Sequence, residues 1–107
     1  MDGPYSLTPS NVARRVRPKV GVYELSHTPK GPIRYVGRAV DLAQRLGNHA
    51  SEEKYAYFRF KYTSSEKKAF ENECTLYHRH LSDIDNKVHP ARPDGHSWRC
   101  PACKAFG

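Results

Sequence analysis

The sequence predicts a small α/β domain of the α+β kind, with a three-stranded antiparallel sheet flanked by helices. Two short segments rich in aromatic and β-branched residues, joined by a turn-rich link, predict a β-hairpin. A later run of alternating aromatic and basic residues predicts a third strand. Helical periodicity after N-cap signals predicts helices before, between and after these strands. The length of 107 residues suits one domain.

The predicted hairpin comprises strands 20–25 and 33–37. Side chains alternate along a strand, so Tyr23 and Tyr35 can point to the same face of the sheet. The link between the strands contains Pro29, Gly31 and Pro32, which favour a turn. The hairpin therefore predicts a surface that carries two phenols.

A helix over residues 41–48 is predicted to follow the hairpin, with Gly47 marking its end. Arg45 and His49 are four residues apart and share one helix face. A guanidinium and an imidazole would then lie near the two phenols. The alternative for Arg45 is a surface ion pair with Asp41, which is also four residues away and would contribute little stability.

The third strand is predicted over residues 55–62, with Phe58 and Phe60 on its core face and Tyr55 on its solvent face. Residues 63–66 form a capping box that predicts a long helix reaching about residue 81. Glu73 lies on the core-facing stripe of that helix, where an unpaired carboxylate would be costly to bury. A metal ion or a basic partner would remove that cost. The nearby Glu71 lies on another face of the helix and is expected to be solvated.

The triplets Gly21-Val22-Tyr23 and Tyr35-Val36-Gly37 resemble the two signature triplets of the GIY-YIG nuclease superfamily. That family also has an arginine on the following helix, a glutamate on a later helix and an asparagine near the end of the module. Arg45, Glu73 and Asn86 match these three positions. Each triplet alone is a weak signal, but five elements in the right order are a much stronger one.

The resemblance implies a metal-dependent endonuclease that hydrolyses DNA phosphodiester bonds. In this interpretation Glu73 holds Mg²⁺ or Mn²⁺, and Arg45 binds a phosphate oxygen. Tyr23 and His49 are alternative general bases, and Tyr35 helps to hold the attacking water. Arg38 and Asn86 are predicted to contact the substrate. For Asn86, ordering of the local backbone is the alternative.

Composition points to a polyanionic partner, with 18 Lys+Arg against 11 Asp+Glu and a formal net charge of +7. We expect DNA, with RNA as the alternative. The sequence has no apolar stretch of transmembrane length and no signal peptide after Met1. These features predict a soluble, intracellular (cytoplasmic) protein without membrane contact. Monomer and dimer remain open.

The chain divides into an N-terminal lead-in with a short helix (1–18), a nuclease-like domain (19–86) and an extended tail (87–107). The tail contains Cys100 and Cys103 at CxxC spacing, and the long helix carries Cys74 and His78 on one face. These four residues are predicted to bind one structural Zn²⁺, with His89 and His96 as competing ligands. The alternative function is a non-catalytic, zinc-stapled nucleic-acid-binding module of the same fold. It would be expected to lack part of the set Tyr23, Tyr35, Arg45 and Glu73.

Overall fold

A computed structural model describes residues 1–86, 89–92, 95 and 98–102 of the chain. Four strands form one antiparallel sheet in the order β1-β4-β2-β3, with α1 and α2 on one face and α3 on the other. The predicted α+β class is confirmed, but the sheet has four strands where three were predicted. The elements are β1 (Asp2–Ser6), α1 (Pro9–Arg15), β2 (Gly21–Ser26), β3 (Tyr35–Ala39), α2 (Leu42–Glu52), β4 (Tyr57–Tyr62) and α3 (Glu66–Arg79).

The additional strand, β1, lies in the segment predicted to be a lead-in without a strand. It pairs with β4, and Tyr5 stands opposite Phe58. Gly3 and Pro4 gave this segment the composition of a turn, so its strand conformation depends on pairing with β4 and not on local propensity. Leu7, which follows β1, is buried in the core.

Strand β2 is the centre of the molecule, and all six of its residues are buried. Its neighbours β3 and β4 are both antiparallel to it, so the predicted hairpin between β2 and β3 is confirmed. Apolar residues fill both faces. One cluster includes Tyr23, Leu42, Leu46, Phe58 and Phe60 on the α1–α2 side, and the other includes Val22, Val36, Ala69, Leu76 and Tyr77 on the α3 side.

Helix α2 continues through Gly47 to Glu52, so the predicted end at Gly47 is wrong. The chain leaves the helix at Glu53, which takes a left-handed conformation with φ 56°. A glycine inside a helix costs only about 1 kcal/mol. Burial of Leu46 and Ala50 on either side of Gly47 outweighs that cost.

The capping residue of α3 also differs from the prediction. The N-cap is Ser65, whose hydroxyl oxygen accepts a hydrogen bond from the Lys68 backbone at 3.1 Å. Thr63 instead donates its hydroxyl to the Ser65 carbonyl. At the other end the helix stops at Arg79, two residues before the predicted limit.

Tyr55 lies before β4 and is buried, contrary to its predicted place on a solvent face. Its hydroxyl donates to Asp85 Oδ2 at 2.8 Å, and Arg34 donates to Oδ1 of the same carboxylate at 2.6 Å. The segment after α3 is thereby fastened to the start of β3.

None of the helices in the described part of the chain is both long enough and apolar enough to cross a membrane.

Candidate active site

A cleft of about 360 Å³ opens beside β3, the edge strand of the sheet. Four elements contribute polar side chains to its lining: Tyr23 from β2, Tyr35 and Arg38 from β3, Arg45 from α2, and Glu66 and Glu73 from α3. The structure therefore brings together most of the catalytic residues predicted from sequence. His49 lies directly behind Tyr23.

The two phenols are stacked, with ring centroids 6.2 Å apart and planes 14° apart. The register places Tyr23 opposite Gly37, and the Tyr23 ring occupies the space where a side chain at Gly37 would lie. A Cβ added at Gly37 would come within 2.4 Å of the Tyr23 ring and hydroxyl. The glycine of the second triplet is thus required by this close approach of a phenol.

Tyr23 and His49 are hydrogen-bonded, with 2.9 Å between the phenolic oxygen and Nε2. Burial raises the pKa of Tyr23 well above its usual range, and Arg45 only partly opposes this. Burial also lowers the pKa of His49, which favours the neutral imidazole. The neutral form can accept the Tyr23 proton at Nε2 while Nδ1 carries hydrogen and faces Glu52 at 3.7 Å.

Glu73 is buried and has a basic partner in Arg38. Arg38 Nη1 donates to Glu73 Oε1 at 2.5 Å, and Nη2 donates to the Ala91 carbonyl at 2.7 Å. Burial raises the pKa of Glu73, and the charge and hydrogen bond of Arg38 oppose the rise. Arg38 was predicted to contact the substrate, and the structure places it on the carboxylate predicted to hold the metal.

Arg45 does not form the predicted alternative ion pair with Asp41. The Asp41 carboxylate is the N-cap of α2 and accepts a hydrogen bond from the Gln44 backbone at 3.0 Å. Arg45 instead lines the cleft and lies close enough to Tyr23 to act on its pKa. Its guanidinium is therefore positioned to bind an anionic group in the cleft.

Asn86 binds the backbone of Val36 with both ends of its amide. Its Nδ2 donates to the Val36 carbonyl at 3.0 Å, and its Oδ1 accepts from the Val36 backbone N–H at 3.4 Å. This arrangement is the backbone-ordering role considered for Asn86. A substrate contact by the same side chain stays a prediction.

The donor set of the cleft fits a hard divalent cation. Among the hydrogen bonds of the described residues, the Glu73 carboxylate accepts one, at Oε1, so its second oxygen can serve as a ligand. A bound cation would also offset the burial that raises the pKa of Glu73. One carboxylate completed by waters and substrate oxygens is the usual way in which proteins bind Mg²⁺.

A second cluster lies next to Glu73, around Cys74 of α3. The ligand atoms of Cys74, His89 and Cys100 all lie within 4.8 Å of one another. His78 does not belong to this cluster, although its ring lies 5.2 Å from that of His89. Cys103 and His96, the other predicted ligands, lie outside the described residues. Burial and a hydrogen bond with Cys100 raise the pKa of the Cys74 thiol.

Sequence reasoning missed the pairing of Arg38 with Glu73 and the contact of Arg38 with Ala91. The sequence did contain one signal, because a carboxylate on a core-facing stripe requires a partner. It could not identify Arg38 as that partner, because the two residues are 35 positions apart and on different elements.

The fold and the cleft define a class of protein, an α+β nuclease domain whose signature triplets lie on paired strands. The family model of the GIY-YIG catalytic domain matches residues 19–88, and the chain belongs to this family. It is therefore a GIY-YIG nuclease. No curated protein sequence matches the chain.

Two solved structures share the fold, both of the N-terminal GIY-YIG endonuclease domain of UvrC from Thermotoga maritima. One, bound to its catalytic divalent cation magnesium, is 22% identical, with a TM-score of 0.55 over 67% of this chain and 88% of that chain. The other is a tyrosine-to-phenylalanine point mutant bound to its catalytic divalent cation. It is 21% identical, with a TM-score of 0.52 over 66% and 90% of the two chains.

Proposed function

We propose that the protein is an endonuclease that hydrolyses DNA phosphodiester bonds with one divalent cation, Mg²⁺ or Mn²⁺, held by Glu73. The observation that carries the proposal is the cleft itself. It gathers a buried carboxylate, two guanidinium groups and two phenols from four separate elements. The UvrC domain of the same fold binds magnesium as its catalytic cation, which supports the same choice here.

The cation, when bound, would supply charge stabilisation at the reacting phosphate. Arg45 binds a non-bridging phosphate oxygen and orients the scissile group. Arg38 holds Oε1 of Glu73, which fixes the direction of the carboxylate. These residues provide electrostatic stabilisation from fixed positions, which is usually the largest contribution to such catalysis.

Tyr23 and His49 act in series instead of as alternatives. Tyr23 accepts a proton from the attacking water at its phenolic oxygen, and its own proton passes to His49 Nε2 across the 2.9 Å hydrogen bond. The lowered pKa of His49 keeps that nitrogen available as an acceptor at neutral pH. Because burial raises the pKa of Tyr23, a free phenolate would be unfavourable, and this transfer avoids forming one.

DNA is the substrate that suits the charge of the protein. A formal net charge of +7 attracts a polyanion, and the arginines in the cleft match phosphate groups. The described residues of the cleft provide contacts for the phosphodiester and not for a particular base. The cleavage site would then be chosen by the shape of the DNA or by a partner.

Nicking of supercoiled plasmid with and without magnesium tests the proposal. Glu73→Gln keeps the size of the side chain and an oxygen for Arg38 but removes the charge, so we expect cleavage to fall at least about 100-fold. Glu71→Gln is the matched control, because Glu71 pairs with the exposed Lys68 at 3.7 Å on the same helix. We expect it to cleave like the unaltered protein.

Two outcomes would contradict the proposal. Cleavage by Glu73→Gln at the rate of the unaltered protein would remove Glu73 from the reaction. DNA binding by the unaltered protein without nicking, in either magnesium or manganese, would favour the non-catalytic nucleic-acid-binding module.

A further inference from the structure

The described residues 89–92 and 98–102, here called the C-terminal strap, lie against α3. Cys100 is buried in a small cluster with Phe70 and Cys74 of α3, and Trp98 packs against that cluster with 6.3 Å between its ring centroid and that of Phe70. His89 lies edge-on to Tyr77 at 5.5 Å. Ordering a chain segment costs about 1–2 kcal/mol per residue in backbone entropy, so a metal ion that links the strap to α3 would add to the stability that these contacts provide.

Three soft ligand groups meet at the point where the strap reaches α3. Cys74 and Cys100 are buried thiols, and their sulfur atoms and a ring nitrogen of His89 lie within 4.8 Å of one another. Tetrahedral zinc, with Zn–S of about 2.3 Å and Zn–N of about 2.0–2.1 Å, separates its ligand atoms by roughly 3.5–3.8 Å. The cluster would therefore need only a small contraction to bind the ion.

The second nitrogen of His89 supports a metal-binding role. Nδ1 lies 3.0 Å from the Pro90 carbonyl oxygen, so it carries hydrogen and donates to that oxygen. In that tautomer the ring lone pair is on Nε2, the nitrogen through which a histidine of this orientation binds a metal. Histidine ligands in metalloproteins are usually oriented in this way, by donating the other ring N–H to a carbonyl or a carboxylate.

We propose that Cys74, His89 and Cys100 bind one structural zinc ion that fastens the C-terminal strap to α3. The two thiols bind as thiolates and release their protons when the ion enters. Cys103, at CxxC spacing from Cys100, lies outside the described residues and stays a sequence prediction for the fourth ligand. The role of the ion is to stabilise the fold.

The zinc ion also acts on the nuclease site through the strap. Ala91, two residues after His89, accepts a hydrogen bond from Arg38 Nη2 at 2.7 Å, while Arg38 Nη1 holds Glu73. Arg38 is therefore fixed between the strap and the carboxylate. This consequence rests on the function proposed for Glu73, whereas the zinc site itself does not.

Elemental analysis of the full chain, purified without added metal, tests the zinc site directly. We expect about one zinc per chain in the unaltered protein and loss of most of it in Cys74→Ser, His89→Gln and Cys100→Ser. His78→Gln is the matched control, because His78 lies on the same helix and outside the cluster. It should keep its zinc.

A cobalt titration of the metal-free protein covers the case in which a cysteine variant does not fold. Co²⁺ in the same site should give the intense absorption of tetrahedral cobalt–thiolate coordination. Less than a tenth of an equivalent of zinc in the unaltered protein, together with no such absorption, would overturn the proposal. A disulfide between Cys74 and Cys100 found under reducing conditions, or full zinc in the Cys74→Ser/Cys100→Ser variant, would also overturn it.

Zinc content and plasmid nicking separate this inference from the proposed function. Zinc-loaded protein that does not nick DNA would contradict only the nuclease proposal. Nicking by a protein that contains no zinc would contradict only the zinc proposal. Removal of zinc should lower the melting temperature and speed amide exchange in the segment that carries His89 and Cys100, while exchange in α1 stays unchanged.

Discussion

At the scale of single residues, the two glycines Gly37 and Gly47 differ in what surrounds them. A side chain at Gly37 would collide with Tyr23, whereas a Cβ at Gly47 meets nothing within 4 Å. One glycine is needed for packing against a candidate catalytic phenol. The other only weakens a helix.

We predict opposite effects for alanine at these two positions. Gly37→Ala should lower the free energy of unfolding by about 1–3 kcal/mol, because the added methyl group overpacks the contact with Tyr23. Gly47→Ala should raise it by about 0.5–1 kcal/mol, because alanine suits a helix interior better than glycine. Chemical denaturation of both variants measures the difference, and equal effects would contradict the close approach at Gly37.

Part of the candidate site could be predicted from the sequence alone. Tyr23, Tyr35, Arg45 and Glu73 were identified from the triplets and from helical spacing, and the structure brings them to one cleft. The partners that hold them were not accessible to such reasoning. His89, one of the competing ligands named from the sequence, lies with Cys74 and Cys100, whereas His78 does not. The sequence could not choose between them because the path of an irregular tail is not encoded in periodicity.

At the scale of elements, the hairpin and the starts of α1 and α2 were predicted well, and the exceptions have clear physical causes. The short helix predicted in the lead-in is α1, and Thr8 caps it by accepting a hydrogen bond at its hydroxyl oxygen from the Asn11 backbone. Strand β1 was missed because its conformation comes from pairing with β4. Helix α2 was predicted too short because packing of Leu46 and Ala50 overrides the local effect of Gly47.

The connection after α3 depends on one carboxylate, and its pH dependence can be predicted. Hydrogen bonds from Tyr55 and Arg34 hold the pKa of Asp85 below the ordinary value of 3.8. A group whose pKa is lower in the folded protein than in the unfolded protein stabilises the fold at pH values above its unfolded pKa. That stabilisation is lost as the pH falls through the folded pKa.

We therefore expect Asp85→Asn to lower the melting temperature by several degrees at neutral pH. The difference from the unaltered protein should shrink as the pH falls below about 3.8. Asp83→Asn is the control, because Asp83 is exposed and lies two residues before Asp85 in the same segment. A gap that stays constant between neutral and strongly acidic pH would show that the charge of Asp85 is not the cause.

At the scale of the whole molecule, the positive charge should govern affinity for DNA. With a formal net charge of +7, binding of the inactive Glu73→Gln variant should weaken steeply as salt is added. Arg45→Ala in that background should reduce the slope of log affinity against log salt by about 0.9, the value for one lost phosphate contact. Fluorescence anisotropy over a salt series measures this slope, and an unchanged slope would exclude Arg45 from phosphate binding.

The amide of Asn86 has a consequence for self-association. β3 is an outer strand, and outer strands present unpaired backbone groups on which another chain can add a strand. Asn86 occupies both backbone groups of Val36, the second residue of that strand. At the opposite edge, β1 is short and contains Pro4, which cannot donate to an incoming strand. Both borders of the sheet are thus protected against the edge-to-edge pairing that leads to aggregation.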